Sequence, residues 1–387
     1  MSFSTEVIKR EKLPKVYFDN LDALRTIACF SVFASHAMLN ETLKGLWAND
    51  TYHRFINFFS TGGNGVSFFF VLSGFLITYL ILQEEQQQGF RLKNFYVRRV
   101  LRIWPLYYFV VLFGFAIYPF LKGFMGIESN IPDLLTYHLL FLSNFDSIYI
   151  HHNDLVDLQP MMVGITWSVA IEEQFYLFWP LFFFFLPKYC YKYIPFFIII
   201  SCFIFRYIHQ DDGAVMYYHT FSVMADLGLG GVCAYYALHS KRFISFWERL
   251  PRTVIIVGYV VGIGMLMYPD YLASSLHAFS PLSRFIITLF FAFIILEQNY
   301  SKYSLLKYKR LRYFSGWGKY TYSMYMLHPI GIQVAVVLYK VKDLDNTASF
   351  WLGICYVLIA LVVSLIISYL SYWYYEKPFL KLKERFS

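Results

Sequence analysis

Residues 17–40 read YFDNLDALRTIACFSVFASHAMLN, an apolar run that nonetheless carries Asp22, Arg25 and His36. Its length approaches the ~20 residues that a membrane-spanning helix needs. A helix turns ~100° per residue, so Arg25 and His36 fall within ~20° of one another, separated by ~16 Å along the axis. Asp22 lies within ~40° of the same face. Each charged group near the centre of a span costs roughly 2.5–3.5 kcal/mol on insertion scales, so such a stripe faces a bundle interior or a wet cavity instead of lipid. The stretch therefore reads as the functional core of a helical bundle.

Composition sets the class of that bundle. Hydrophobic residues make up 58% of the 387-residue chain and charged residues 15%, with a mean hydropathy of +0.47. Soluble domains carry far more charge. Ten apolar runs are expected to span, near 20–40, 62–83, 103–121, 164–187, 194–208, 218–239, 253–268, 283–298, 316–339 and 350–375. Between the third and fourth lies PDLLTYHLLFLSNF, too short for a span and suited to a re-entrant or interfacial segment. The fold class is thus all-α, a polytopic membrane bundle of about ten helices. It forms one domain over 1–387, with no appended soluble domain and no cleaved signal peptide.

The net charge of +8 does not point to nucleic acid, because its distribution follows the membrane. Of the 33 lysines and arginines, 25 fall in one alternating set of connecting segments and five in the other. This asymmetry predicts that both termini are cytoplasmic. The five cysteines are scattered through apolar stretches with no paired spacing, so they read as small apolar residues, and no metal site is expected.

Four further motifs carry polar groups where apolar ones would serve the membrane better. RRVLRIWP places Arg98, Arg99 and Arg102 on neighbouring helical turns. They form either a positive-inside anchor or a phosphate clamp, since guanidinium forks match phosphate oxygens. TGGNGVSFFFVLSGF brings Gly62, Gly63 and Gly65 to a helix start, where free N–H groups suit an anion. The same glycines, with Ser73 and Gly74, also suit close helix packing. TWSVAIEEQFYLFWP holds Glu172 and Glu173, which point ~100° apart, so one of them can face the interior. Ser168 shares the face of Glu172. YTYSMYMLHP holds His328, with Tyr325 three residues before it and Pro329 just after. That histidine is either functional or a partner for the carbonyl that Pro329 frees. Asp226 is a further buried acid, with Arg206 and Arg284 as partners. The remaining histidines, including His53, His138, His151 and His277, fall in loops or near span ends and read as non-catalytic.

These motifs, with the terminal YYEKPF, occur from residue 19 to 379 in the order seen in the acyltransferase-3 family of bacterial integral membrane acyltransferases, which the chain resembles. The resemblance implies transfer of a short acyl group, commonly acetyl, from cytoplasmic acyl-CoA to a hydroxyl of an envelope sugar or other small acceptor, at the inner membrane. Carried over by position, Arg25 and His36 match the family's first-span arginine–histidine pair and Arg99 and Arg102 its arginine motif. Glu172 matches the acid of the tryptophan–serine motif, and His328 the late histidine. Ser67 departs from the pattern, since many members have Asp there.

Acyl transfer needs a base, because a sugar hydroxyl is a poor nucleophile at neutral pH. A neutral imidazole, with a reference pKa of about 6.5, can take its proton during attack on a thioester. The expected site therefore has His36 as base, Glu172 as its orienting acid, and Arg25 holding part of the CoA. Arg98, Arg99 and Arg102 would meet the nucleotide phosphates. The alternative is a secondary transporter or flippase, which also needs intramembrane charge. No inverted repeat is visible, and the arginines cluster at one mouth.

Overall fold

The structure is a computed structural model. It describes residues 18–46, 63–87, 89–124, 134–155, 161–268, 271–272, 276, 282–305, 307, 312–342, 344 and 349–386. Gly62, His53, His277 and the basic residues before Phe18 lie outside these. Among the described residues there is no strand, and ten helices are fifteen residues or longer. They are α1 Asp19–Met38, α2 Gly63–Gln87, α3 Leu92–Leu112, α4 Thr166–Phe185 and α5 Ile194–Ile208. The others are α6 Thr220–His239, α7 Arg252–Met267, α8 Ser283–Tyr300, α9 Thr321–Val341 and α10 Phe350–Leu370.

Each of the ten apolar runs carries one of these helices. By length and composition alone, however, five helical stretches suffice to cross a membrane. They contain α2, α3, α6, α9 and α10. A sixth is added if Lys241–Glu248 and α7, bent by 88°, count as one span. The physical reason for the smaller number is the polar residues themselves. α1, α4 and α8 are 18 to 20 residues long, but their hydropathy is reduced by interior groups such as Asp22, Arg25, Glu172, Glu173, Arg284 and Glu297. α5 has 15 residues.

The stretch between α3 and α4 forms two short helices, Leu135–Leu139 and Ser143–His152. Ten residues rise only ~15 Å, about half the hydrocarbon thickness. They are joined at Phe141, whose φ of 55° is left-handed and whose ring stacks on Tyr107 at 4.2 Å between centroids. His138, expected in a loop, is instead fully buried here. It bonds Asp146 at 2.8 Å and Thr166 at 3.1 Å. The trio has the composition of a nucleophile–base–acid set. The Thr166 hydroxyl is nevertheless spent on the Val163 carbonyl at 2.6 Å, and all three residues are sealed from solvent. They tie the short segment to the start of α4.

α2 is the central helix. A Cβ on Gly74 would overlap the Leu227 backbone of α6, and one on Gly230 would overlap Val71 O. The two helices thus meet backbone to backbone, a contact only small residues permit. Gly65 packs against Ala28 and Val32 of α1 in the same way. The close-packing role of Gly65 and Gly74 is therefore realised. Ser73 has a different part, bonding Glu172. On the other side, Thr26 of α1 donates to Phe314 O at 2.8 Å, and Gly331 of α9 lies against Ser364 of α10. α1 is held between α2 and α9, so its polar stripe faces inward. Away from that centre, Arg284 of α8 holds Asp226 of α6 through Nε at 2.9 Å and Nη2 at 2.7 Å. Arg206 bonds Ser222 instead, at 2.8 Å.

Candidate functional site

Two cavities lie along α1, one at each end of its polar stripe. The larger has a volume of about 390 Å³ and is lined by Asp22, Arg25, Arg99, Arg102, Glu172 and Lys383, among others. The smaller, about 250 Å³, is lined by His36, Trp167 and Tyr217 among its residues. Val66 and Tyr325 line both. One helix therefore delivers a guanidinium to one chamber and an imidazole to the other, as its ~16 Å spacing requires.

The larger chamber is positively biased. Arg25 is paired with Asp22 one turn earlier. Arg99 lies between the rings of Phe95 and Tyr176, with its guanidinium carbon 5.5 and 5.6 Å from their centroids. Its buried Nε has no partner among the described residues. A buried Nε left without a partner is costly unless an anion or water takes it, and Arg102 beside it makes no hydrogen bond to a described residue. Arg98 does not join them. It is paired with Glu84 and donates to Phe386 O at 2.8 Å, and it does not line the chamber. Arg98 and Arg99 diverge by ~100°, and it is Arg98, engaged by Glu84, that turns away from the cavity.

The two acids of α4 diverge for the same reason. Glu173 accepts from Trp104 Nε1 at 2.8 Å. Glu172 lines the larger chamber and accepts from Ser73 Oγ at 2.6 Å and Tyr176 Oη at 3.1 Å. The sequence expectation that Glu172 orients His36 is therefore not met, since the two residues line different chambers. Ser168, on the same face, bonds the Tyr325 hydroxyl. That bond fixes Tyr325 where the two chambers adjoin.

His36 is oriented by His328. The two rings are nearly coplanar, 3° apart, with His36 Nδ1 and His328 Nε2 at 2.8 Å. The local sequence assigns the protons. Pro329 lacks an N–H, which leaves the Tyr325 carbonyl one turn earlier without its helical donor. His328 Nδ1 lies 2.7 Å from that oxygen and 3.2 Å from Met324 O. A carbonyl only accepts, so Nδ1 carries the proton and Nε2 of neutral His328 is an acceptor. His36 Nδ1 must then donate to it, and His36 Nε2 is left with its lone pair. Both meanings of the His–Pro pair hold together: the histidine satisfies the freed carbonyl and thereby sets the tautomer of its neighbour.

Some lining residues escaped the sequence reading. Tyr176 lies four residues after Glu172, so helical spacing alone could have found it. Lys383 sits in a basic tail that reads as topological. Tyr217 is on the short helix Gly213–Tyr218 and carries no local signal. Among the described residues no group of His, Cys, Asp and Glu is arranged to hold a metal ion.

The sequence model of an acyltransferase domain family matches residues 18–373. The chain is 25% identical over 378 residues to "Putative peptidoglycan O-acetyltransferase YrhL" of Bacillus subtilis, an alignment covering 94% of this chain and 55% of that protein. It is 35% identical over 175 residues to the peptidoglycan O-acetyltransferase OatA of Listeria monocytogenes, covering 43% of this chain and 24% of that one. The chain thus spans about half, or less, of the length of these relatives. No solved structure matches it.

Proposed function

The chain belongs to the acyltransferase-3 family, and from that premise we propose that it moves an acetyl group from cytoplasmic acyl-CoA to a hydroxyl of an envelope carbohydrate. The observation that carries this reading is the pair of chambers. One holds arginines suited to phosphate, the other holds an imidazole with a bare nitrogen, and they adjoin at Tyr325. CoA phosphates bind at Arg99 and Arg102, whose donors make no hydrogen bond to a described residue, with Arg25 further in. The thin pantetheine arm points the thioester towards Tyr325. The acceptor enters the His36 chamber. Its hydroxyl oxygen attacks the thioester carbon, the O–H proton passes to His36 Nε2, the C–S bond breaks, and the departing thiolate takes that proton back. Glu172 helps to hold α2 and α4 around the donor. The names of the relatives favour peptidoglycan or a similar polymer as acceptor.

The same reading puts about ten spans in the inner membrane with both termini cytoplasmic, on the strength of the loop charges. Reporter fusions after Tyr149 and after Tyr191 are expected to report opposite sides. A cytoplasmic signal at 149 would turn the short-helix segment into a span and invert the sidedness of every later loop.

The donor assignment is tested with protein purified in nanodiscs, [¹⁴C]acetyl-CoA and a soluble glycan acceptor. Arg99→Ala and Arg102→Ala are each expected to raise the KM for acetyl-CoA, with kcat less affected. Hydrogen bonds to charged groups contribute about 1.5–3 kcal/mol each, roughly 10- to 150-fold. Arg99→Lys should recover part of the loss, because a point charge lacks the fork. Unchanged KM in both alanine variants would return these arginines to topological anchoring. Two chambers that share Val66 and Tyr325 in their walls would also suit a transporter. Transport of a glycan without acetyl-CoA consumption would favour that reading.

A further inference from the structure

The smaller chamber holds more unused hydrogen-bonding capacity than a base requires. Trp167 and Ser35 are 8% and 7% exposed, yet the Trp167 indole N–H and the Ser35 hydroxyl have no partner among the described residues. Neither does the hydroxyl of Tyr217. All three residues line the cavity with His36. Tyr217 is 41% exposed, so these donors open onto the cavity, where a ligand or water can take them.

The walls say what kind of ligand. Trp167 and Tyr217 have ring centroids 5.2 Å apart and planes tilted by 50°, which makes an aromatic corner. Tyr218 packs against Trp167 edge-on at 5.1 Å and Phe70 at 6.2 Å, so the indole is held in place. Among the described residues no Asp, Glu, Lys or Arg lines this chamber, in contrast with the other. An anionic ring placed there would lose its hydration with no counter-charge, a large penalty. The volume, about 250 Å³, is smaller than the roughly 300–1,000 Å³ of pockets that enclose drug-sized ligands, so it suits one small ring at a time. A ring with apolar C–H faces and peripheral hydroxyls satisfies both the aromatic corner and the open donors.

We propose that Trp167, Tyr217 and Ser35 form a subsite for a single uncharged pyranose of the acceptor, which presents one hydroxyl to His36 Nε2. The proposal rests on the acyl-transfer reading and adds to it the ring type and the residues that select it. Trp167 and Tyr217 set specificity, Trp167 through its face and N–H, Tyr217 through its ring and hydroxyl at the mouth. The rest of a polymer or lipid-linked acceptor stays outside the chamber.

The test uses the full chain in nanodiscs with acetyl-CoA and two probes, methyl N-acetyl-β-D-glucosaminide and methyl β-D-glucuronide, scored by mass spectrometry of acetylated product. The neutral glycoside is expected to be the better acceptor by about tenfold or more in kcat/KM. Trp167→Leu is expected to raise its KM by about tenfold or more, since both the ring face and the N–H are lost. The KM for acetyl-CoA should stay unchanged. Trp167→Phe keeps a ring and should fall between the two. Glycoside quenching of the protein's tryptophan fluorescence, reduced in Trp167→Phe, gives a binding readout independent of turnover. Thermal stability in detergent identifies any variant that fails to fold. Acetylation with an unchanged glycoside KM in Trp167→Leu, or a preference for the glucuronide, overturns the subsite and leaves acyl transfer standing. Glycoside quenching that depends on Trp167, with no acetyl transfer to either probe, supports the subsite and overturns acyl transfer instead.

Discussion

Replacing His36 by glutamine is expected to abolish acyl transfer by the purified protein. Glutamine keeps a donor that can reach His328 and is of similar bulk, but it has no basic nitrogen. General-base catalysis typically contributes 10²–10⁴-fold, and the loss should appear in kcat. His36→Ala should fail as completely, because no second base stands on that face of α1. The remaining polar residues of the stripe, Asp22 and Arg25, are paired with each other at its other end. In the wild type the rate should fall as pH is lowered through the titration of His36, since only the neutral ring accepts a proton. Membrane insertion should be near normal. Near wild-type turnover of folded His36→Gln would remove His36 as base and shift the search to His328 or Glu172.

His328 should matter almost as much, by a different route. It lies 2.8 Å from His36 on the side away from the bare nitrogen, so its proposed part is to hold a tautomer. His328→Leu removes the acceptor for His36 Nδ1–H and lets the ring turn or take its other tautomer. A wrong tautomer in a serine protease triad costs about 10⁴-fold in kcat, and a loss approaching that scale is expected here. His328→Gln should recover a large part of the activity, because its amide oxygen can occupy the place of Nε2 and accept the same proton. The pH–rate profile separates positioning from chemistry. If His328 only orients, the glutamine variant keeps the wild-type profile. If it is as inactive as the leucine variant while equally stable, His328 carries protons itself. A fall in melting temperature in both variants is expected separately, since each loses the Nδ1–H bond to the Tyr325 carbonyl at 2.7 Å.

Much of this arrangement is legible before folding. The stripe on α1 follows from a period of 3.6 residues and the cost of polar groups in a membrane, and these predict that Arg25 and His36 share a face. The same arithmetic separates Glu172 from Glu173. Applied to Arg98 and Arg99, it says only that the two diverge, and the pairing of Arg98 with Glu84 decided which one left the clamp. Cavity-facing helices are also where a count of spans by hydropathy is weakest. α1 and α4 carry the functional polar groups, and both fall short of the apolarity shown by α2 or α10. Function and membrane signal compete for the same positions.

By itself the sequence determined the helical class, the place of each apolar segment and the residue types at the two ends of α1, because these depend on local periodicity and composition. Only the tertiary structure decided which groups meet. His36 and His328 are 292 positions apart, and no local rule pairs them in preference to His36 and Glu172. The choice was made by packing. Glycines bring α2 against α6 and α1, and Ser73 and Tyr176 take up Glu172. The carbonyl freed by Pro329 turns the His328 ring until its other nitrogen faces α1. Periodicity tells a side chain which way to point, and only the neighbouring helix supplies what it meets.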